Sequence, residues 1–214
     1  TAVDLNDTAI AKQLWGELLN LYRNRPDTAR GRAEIERNTG EIIDGRDMIL
    51  LAENSLMKPL DEQARAMIMK SAKRVSVVTA VSPKALIDVA YVIYENAKLL
   101  RAIAVLYGGR PGTFGFFKLS RSVLAHLAVT GTLAIGEGLV QQVVGHGLAA
   151  RISSRLGQGV VNGLLTARIG LAAMDVCRPV PFSPGSRPGV SDFLSELTRF
   201  STPKEAEPEP VKMK

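Results

Sequence analysis

A single cysteine, Cys177, in 214 residues removes any intramolecular disulfide and any CxxC zinc or redox pair. Histidine is nearly as scarce. His126 and His146 stand twenty positions apart, with no HExxH and no second ligand type at useful spacing, so each reads as a packing histidine and no metal site is expected. No GxxxxGK[ST] run is present, which excludes nucleotide binding through a P-loop. No GxSxG elbow and no marked carboxylate pair supports acyl transfer or glycoside chemistry. The GHGLAA run (Gly145, Gly147, Ala149) matches a dinucleotide fingerprint in letters only, because no strand precedes it. Aromatics make up 5 % of the chain and do not interleave with a compact basic stripe, so nucleic acid is not an expected partner. No cofactor is expected either, and nothing in the first thirty residues reads as a signal peptide.

Hydrophobic residues are plentiful, at 46 % against 22 % charged, with a mean hydropathy of +0.07. These values exclude wholesale disorder and fit a polytopic membrane protein poorly. The net charge of +6 is unevenly placed. Residues 1–82 hold 12 basic and 12 acidic side chains, residues 183–214 hold 5 of each, and residues 83–182 hold 10 against 4. The middle segment also carries 13 of the 19 glycines. From Ser122 to Ala167 only Glu137, Arg151 and Arg155 are charged. Such a stretch either faces lipid or is buried in protein, and the flanking excess of Lys and Arg suits an anionic membrane surface.

Periodicity predicts helices throughout. Asp7 and Thr8 can cap one whose apolar positions are Ile10, Leu14, Leu18, Leu21 and Tyr22. A polar helix follows from Pro26 to a stop at Gly40. Another runs over about 41–57, where Pro59 is expected to restart the chain, and Leu60, Ala64, Met67, Ile68 and Ala72 continue the pattern. Val75, Val77, Val78 and Val81 read as the end of that helix, since no second strand is near for pairing. Ser82 and Pro83 start the next, which Gly108 and Gly109 end. Its length would cross a bilayer, but Asp88, Glu95, Lys98 and Arg101 would each cost roughly 2.5–3.5 kcal/mol near the midplane. Val123–Ile135 is charge-free but falls short of the roughly 20 residues a span needs. Three apolar patterns follow over about 116–137, 138–156 and 158–177. Gly157, Gly159, Gly163 and Gly170 place small residues at mostly helical spacing, as in lipid-embedded helix pairs or in tight crossings of a soluble core. One short helix is expected over Asp192–Phe200, then a disordered end over 203–214.

The expected architecture is an all-α bundle with tightly packed Gly/Ala-rich core helices. Its parts are an amphipathic helical region (1–81), a core (82–182) and a tail (183–214). Cys177 reads as a small packing hydrophobe. Asp175 and Glu137 are carboxylates within low-charge helices and need cations. Arg151, Arg155, Arg168 and Arg178 are the available ones, and Asp175 with Arg178 or with Arg168 would be internal glue. Arg121, Gly159 and Gly163 complete the candidate interaction and packing residues.

The runs VSVVTAVSPKALIDVAYVIYENAKLLRAIAVLYGGRPG and LAVTGTLAIGEGLVQQVVGHGLAARISSRLGQGVVNGLLTARIGLAAMDVCRPVPF resemble the YcjF-like bacterial inner-membrane proteins of unknown function. The resemblance covers about residues 75–200 and is most specific over Gly163–Pro179. It implies two membrane spans ahead of this region, so the chain is expected to be the C-terminal part of a longer protein. It also implies a neighbour, a YcjX-like P-loop nucleotide hydrolase, and carries no catalytic residue. Together these readings predict a non-enzymatic, membrane-associated helical module on the cytoplasmic side of the inner membrane that docks or regulates such a hydrolase. The alternative is a self-assembling or membrane-remodelling protein in which the Gly157–Gly170 face packs between copies. An enzyme is the least favoured reading.

Overall fold

The computed structural model describes residues 8–38, 44–82, 85–135 and 154–201. Among these residues there is no strand, and the expected all-α class is the observed one. The helices are α1 (Thr8–Leu21), α2 (Ala29–Asn38), α3 (Gly45–Ala52), α4 (Lys58–Val81), α5 (Ala85–Leu106), α6 (Thr113–Ile135), α7 (Ser154–Cys177) and α8 (Val190–Ser201). Several expectations lie outside the described residues: Asp7, Gly40, Pro83, most of the 138–156 pattern with His146 and the GHGLAA run, and the 203–214 end.

Two local readings change. In α1 the buried face is Ala11, Trp15 and Leu18, continued by Tyr22 just past its end, while Ile10 and Leu21 are 47 % and 44 % exposed. Trp15 anchors that register because its indole N–H donates to the Met48 carbonyl at 2.8 Å, an option an aliphatic side chain lacks. Pro59 does not restart the chain. A π turn over Glu53–Met57 joins α3 to α4, so the helical path runs on through the residue that has no N–H to give to the previous turn. Gly31 lies against the Ser55 carbonyl within this turn, where a Cβ would collide with it.

Other boundaries fall as the residue types dictate. Gly108 takes φ +93 and ends α5, and the Gly109 N–H caps the Ala104 carbonyl at 2.8 Å, as a glycine stop requires.

Helix α4 is the axis of the fold. It runs antiparallel to α5, since Thr79 meets Asp88, Ser71 meets Glu95 and Asp61 meets Tyr107. It also runs antiparallel to α7, with Gly159 beside Ser76 and Ala80, Gly163 beside Ala72, and Gly170 beside Ile68. The buried residues form one cluster from Ala11 to Leu197. That cluster crosses the expected boundary at 81/82 and draws in α8, whose Phe193 and Leu197 are fully buried; each such side chain contributes roughly 1.5–3 kcal/mol.

Candidate functional site

At the end of the bundle where α4 begins and α5 and α7 finish, Arg178 is the hub of a buried polar network. Its side chain is 1 % exposed and its Nη2 lies 3.1 Å from both Glu53 and Asp61. Nε donates to Asp61 at 3.1 Å, Nη1 donates to the Val180 carbonyl, and the guanidinium stacks over Phe182 at 4.2 Å. Glu53, turned inward by the π turn, also accepts from the Ser183 N–H and Oγ and from the Ser186 Oγ. Tyr107 donates to Asp61 at 2.6 Å, and Tyr22 donates to the Tyr107 carbonyl at 3.1 Å. A planar fork of donors is what satisfies two carboxylates and a carbonyl at once.

The network predicts how stability depends on pH. Burial pushes the Glu53 carboxyl up, but bonds from Ser183 and Ser186 and the Arg178 charge outweigh it and hold Glu53 below its ordinary value of 4.5. Its contribution is therefore complete above about 4.5 and lost as pH falls through the lower folded value. Burial, countered in part by Arg25, pushes Tyr22 from 10.0 up to about 12, and burial with the Asp61 bond raises Tyr107 further. Those contributions are complete below about 10 and lost as pH rises beyond it. Urea midpoints measured across pH should fall at both extremes, with Glu53→Gln flattening the acid limb and Tyr107→Phe the alkaline one.

The expected partner of Asp175 changes. Its carboxylate binds Arg187 at 2.6 Å and His126 at 3.0 Å, tying α7 to α6 and to the segment before α8; neither Arg178 nor Arg168 takes that place. Asp175 in turn raises the Arg187 guanidinium. Burial pushes the Cys177 thiol up to about 11, so at neutral pH it stays protonated and packs. Among the described residues, no group of three His, Cys, Asp or Glu side chains could hold a metal ion.

The outer surface is less ordinary. Helix α5 turns its acids inward: Asp88 and Glu95 are buried, Asp88 accepting from Thr79 at 2.6 Å and Glu95 from Ser71 at 2.9 Å with Arg74 at 3.3 Å. The same helix exposes Ile87, Val89, Ile93 and Tyr94. Helix α6 likewise exposes Phe114, Phe117, Leu124 and Val129. Over the first half of α5, polar side chains inside and apolar ones outside reverse the usual amphipathic order. Beside the C-terminal half of α5 lies an open groove with Arg25, Lys98, Arg101 and Arg110 on its walls. Among the described residues one helical segment, Gly157–Cys177, is long and apolar enough to cross a membrane, and less than half of it is buried.

Of the candidates named from sequence, Arg178 and Asp175 anchor separate polar contacts, and Gly159 and Gly163 let α7 close on α4. The glycine face is thus filled within the chain, where the self-assembly reading expected a second copy. Arg121 is exposed on α6 and Arg168 half-buried on α7. Arg155 sits in the first turn of α7, and Glu137 and Arg151 lie outside the described residues. Sequence reading did not join Glu53, Asp61, Tyr22 and Tyr107 to this network: Tyr22 read as an apolar helix position, and Glu53, six residues before Pro59, carries no local sign of its partner.

The family described as "Domain of unknown function (DUF697)" matches residues 43–203. A "UPF0283 membrane protein" of Brucella canis is 54 % identical over 205 residues, 96 % of this chain and 57 % of its own length. One of Mesorhizobium japonicum is 56 % identical over 206 residues, with the same two shares, 96 % and 57 %. The chain spans 57 % of the length of these curated relatives. No solved structure matches it. With three quarters of its length inside the matched domain, this chain belongs to the DUF697 family, among the UPF0283 (YcjF-type) proteins, whose function is unknown.

Proposed function

We propose that this chain is a non-enzymatic, membrane-associated helical module that works by contact, docking or regulating a P-loop nucleotide hydrolase at the cytoplasmic face of the bacterial inner membrane. One observation carries the membrane part: α5 buries Asp88 and Glu95 while exposing Ile87, Ile93 and Tyr94. Water does not favour that arrangement, and a lipid or protein cover does. The relatives' name, membrane protein, and the excess of basic residues in 83–182 support the same reading. The hydrolase as partner rests on the family resemblance. Flotation with phosphatidylglycerol vesicles tests the first part, and co-purification with the neighbouring hydrolase tests the second. Binding in both assays is expected; a chain that stays at the bottom of the gradient and elutes without the hydrolase overturns the proposal.

A further inference from the structure

We propose that α6 is the surface by which this chain meets an anionic bilayer: its outer face lies flat in the headgroup region, with Phe114, Phe117 and Leu124 against the upper acyl chains and Arg110, Lys118 and Arg121 on the lipid phosphates. This rests on the membrane-associated reading above and gives it a face, a depth and a lipid class.

Charge singles out this part of the chain. From Asn96 to Gly136, 41 residues hold five cations, Lys98, Arg101, Arg110, Lys118 and Arg121, and no Asp or Glu. All five are exposed, and phosphate-bearing lipid is what such a surface attracts. The carboxylate that reaches α6 is Asp175 of α7, and it is already bound by Arg187 and His126. The segment that carries Arg187 adds no acid over 176–191.

Packing decides which side of α6 looks outward. Phe116, Leu119, Val123 and Leu127 turn to the core, spaced as one helical face. The opposite stripe, Phe114, Phe117, Arg121 and Leu124, is exposed at steps of three and four residues, with Lys118 beside it. Phe114 is 92 % and Phe117 68 % exposed. The helix start is tied to α5, where Arg101 reaches the Pro111 carbonyl at 3.4 Å and lies over the Phe116 ring. Through Arg101 and Arg110 the basic groove continues this surface.

Exposed aromatics with cations one turn away and no acid are the composition of an interfacial helix, whose apolar side chains sink about 5–10 Å into the boundary between headgroups and acyl chains. Long cationic stems let the charged heads stay at phosphate level. The other uncovered apolar face, the first half of α5, has no Lys or Arg over 85–97. It lacks the charge an anionic surface calls for. Single large rings standing out from a convex helix also suit a fluid surface, which closes round them without a shaped pocket.

In a Cys177→Ser background, Phe114→Cys, Leu124→Cys and Ile93→Cys each place an environment-sensitive fluorophore at a site exposed in the wild type. Vesicles containing phosphatidylglycerol should shift the emission at 114 and 124 to the blue, with quenching by lipids brominated in the upper acyl chain, and vesicles of phosphatidylcholine alone should leave it unchanged. In parallel, Lys118→Gln combined with Arg121→Gln should weaken vesicle binding about thirtyfold, from roughly fivefold per charge, with the urea midpoint unchanged. Lys118→Arg with Arg121→Lys should bind as the wild type does. A protein that floats while the 114 and 124 labels stay in water, whether or not the label at 93 enters lipid, overturns this inference and leaves the membrane reading intact. So does a charge-removing variant that binds as tightly as the wild type, or a shift at 114 and 124 that appears only when the neighbouring hydrolase is added. A protein that never floats overturns both.

Discussion

Replacing Arg178 with alanine is expected to remove about 3–5 kcal/mol of folding stability, a large share of the 5–15 kcal/mol typical of a domain. The magnitude follows from what stays behind. Glu53 and Asp61 would keep their buried places without the guanidinium that touches both at 3.1 Å, and the Val180 carbonyl would lose its donor. Arg178→Lys should recover little, because an ammonium cannot present the fork or stack on Phe182. Adding Glu53→Gln to the alanine variant should restore part of the loss, since it removes one of the stranded charges. Urea unfolding followed by circular dichroism measures all three; a loss below about 1 kcal/mol for Arg178→Ala would place the pair in the class of weak surface bridges and contradict the geometry.

Gly163→Leu is expected to cost about 3 kcal/mol, the upper end for overpacking. The Cβ would stand 2.9 Å from the Ala72 carbonyl and would collide with the Ser76 hydroxyl. The Ser76 hydroxyl can rotate aside, but the Ala72 carbonyl belongs to the α4 backbone and cannot yield. Gly16 is the control. A Cβ there meets nothing within 4 Å, so Gly16→Ala should raise stability by about 0.4–1 kcal/mol through the unfolded chain. The test also separates two uses of the small residues in α7. A face that joins copies would change the mass measured by light scattering, whereas a face that closes on α4 changes the unfolding midpoint and leaves the mass of the folded fraction alone. The structure calls for the second result.

Helix identity and many of its ends were legible in the residues themselves. Gly108 ends α5 because only glycine adopts φ +93 without strain, and the valines of 75–81 stayed helical because no strand stood near to pair with them. Such signals act within a turn or two, where backbone conformation and capping are decided. The π turn ahead of Pro59 was not visible, since it answers both to a missing N–H and to the approach of Gly31 from a distant helix.

What the sequence determined alone was therefore the all-α class, most helix boundaries, the low-charge middle and the family. Only the tertiary structure decided which charges meet and which faces look outward. Arg178 has a carboxylate three residues away in Asp175, yet it binds Glu53 and Asp61, 125 and 117 positions distant. Nothing local encodes such a choice, because the energy of a buried ion depends on the whole shell that closes over it. Helix α5 makes the same point. Ile, Leu and Val surround it on nearly every side, so periodicity could not say which face turns inward. Thr79 and Ser71 on α4 settled that, by offering hydroxyls to Asp88 and Glu95 and leaving the apolar side uncovered.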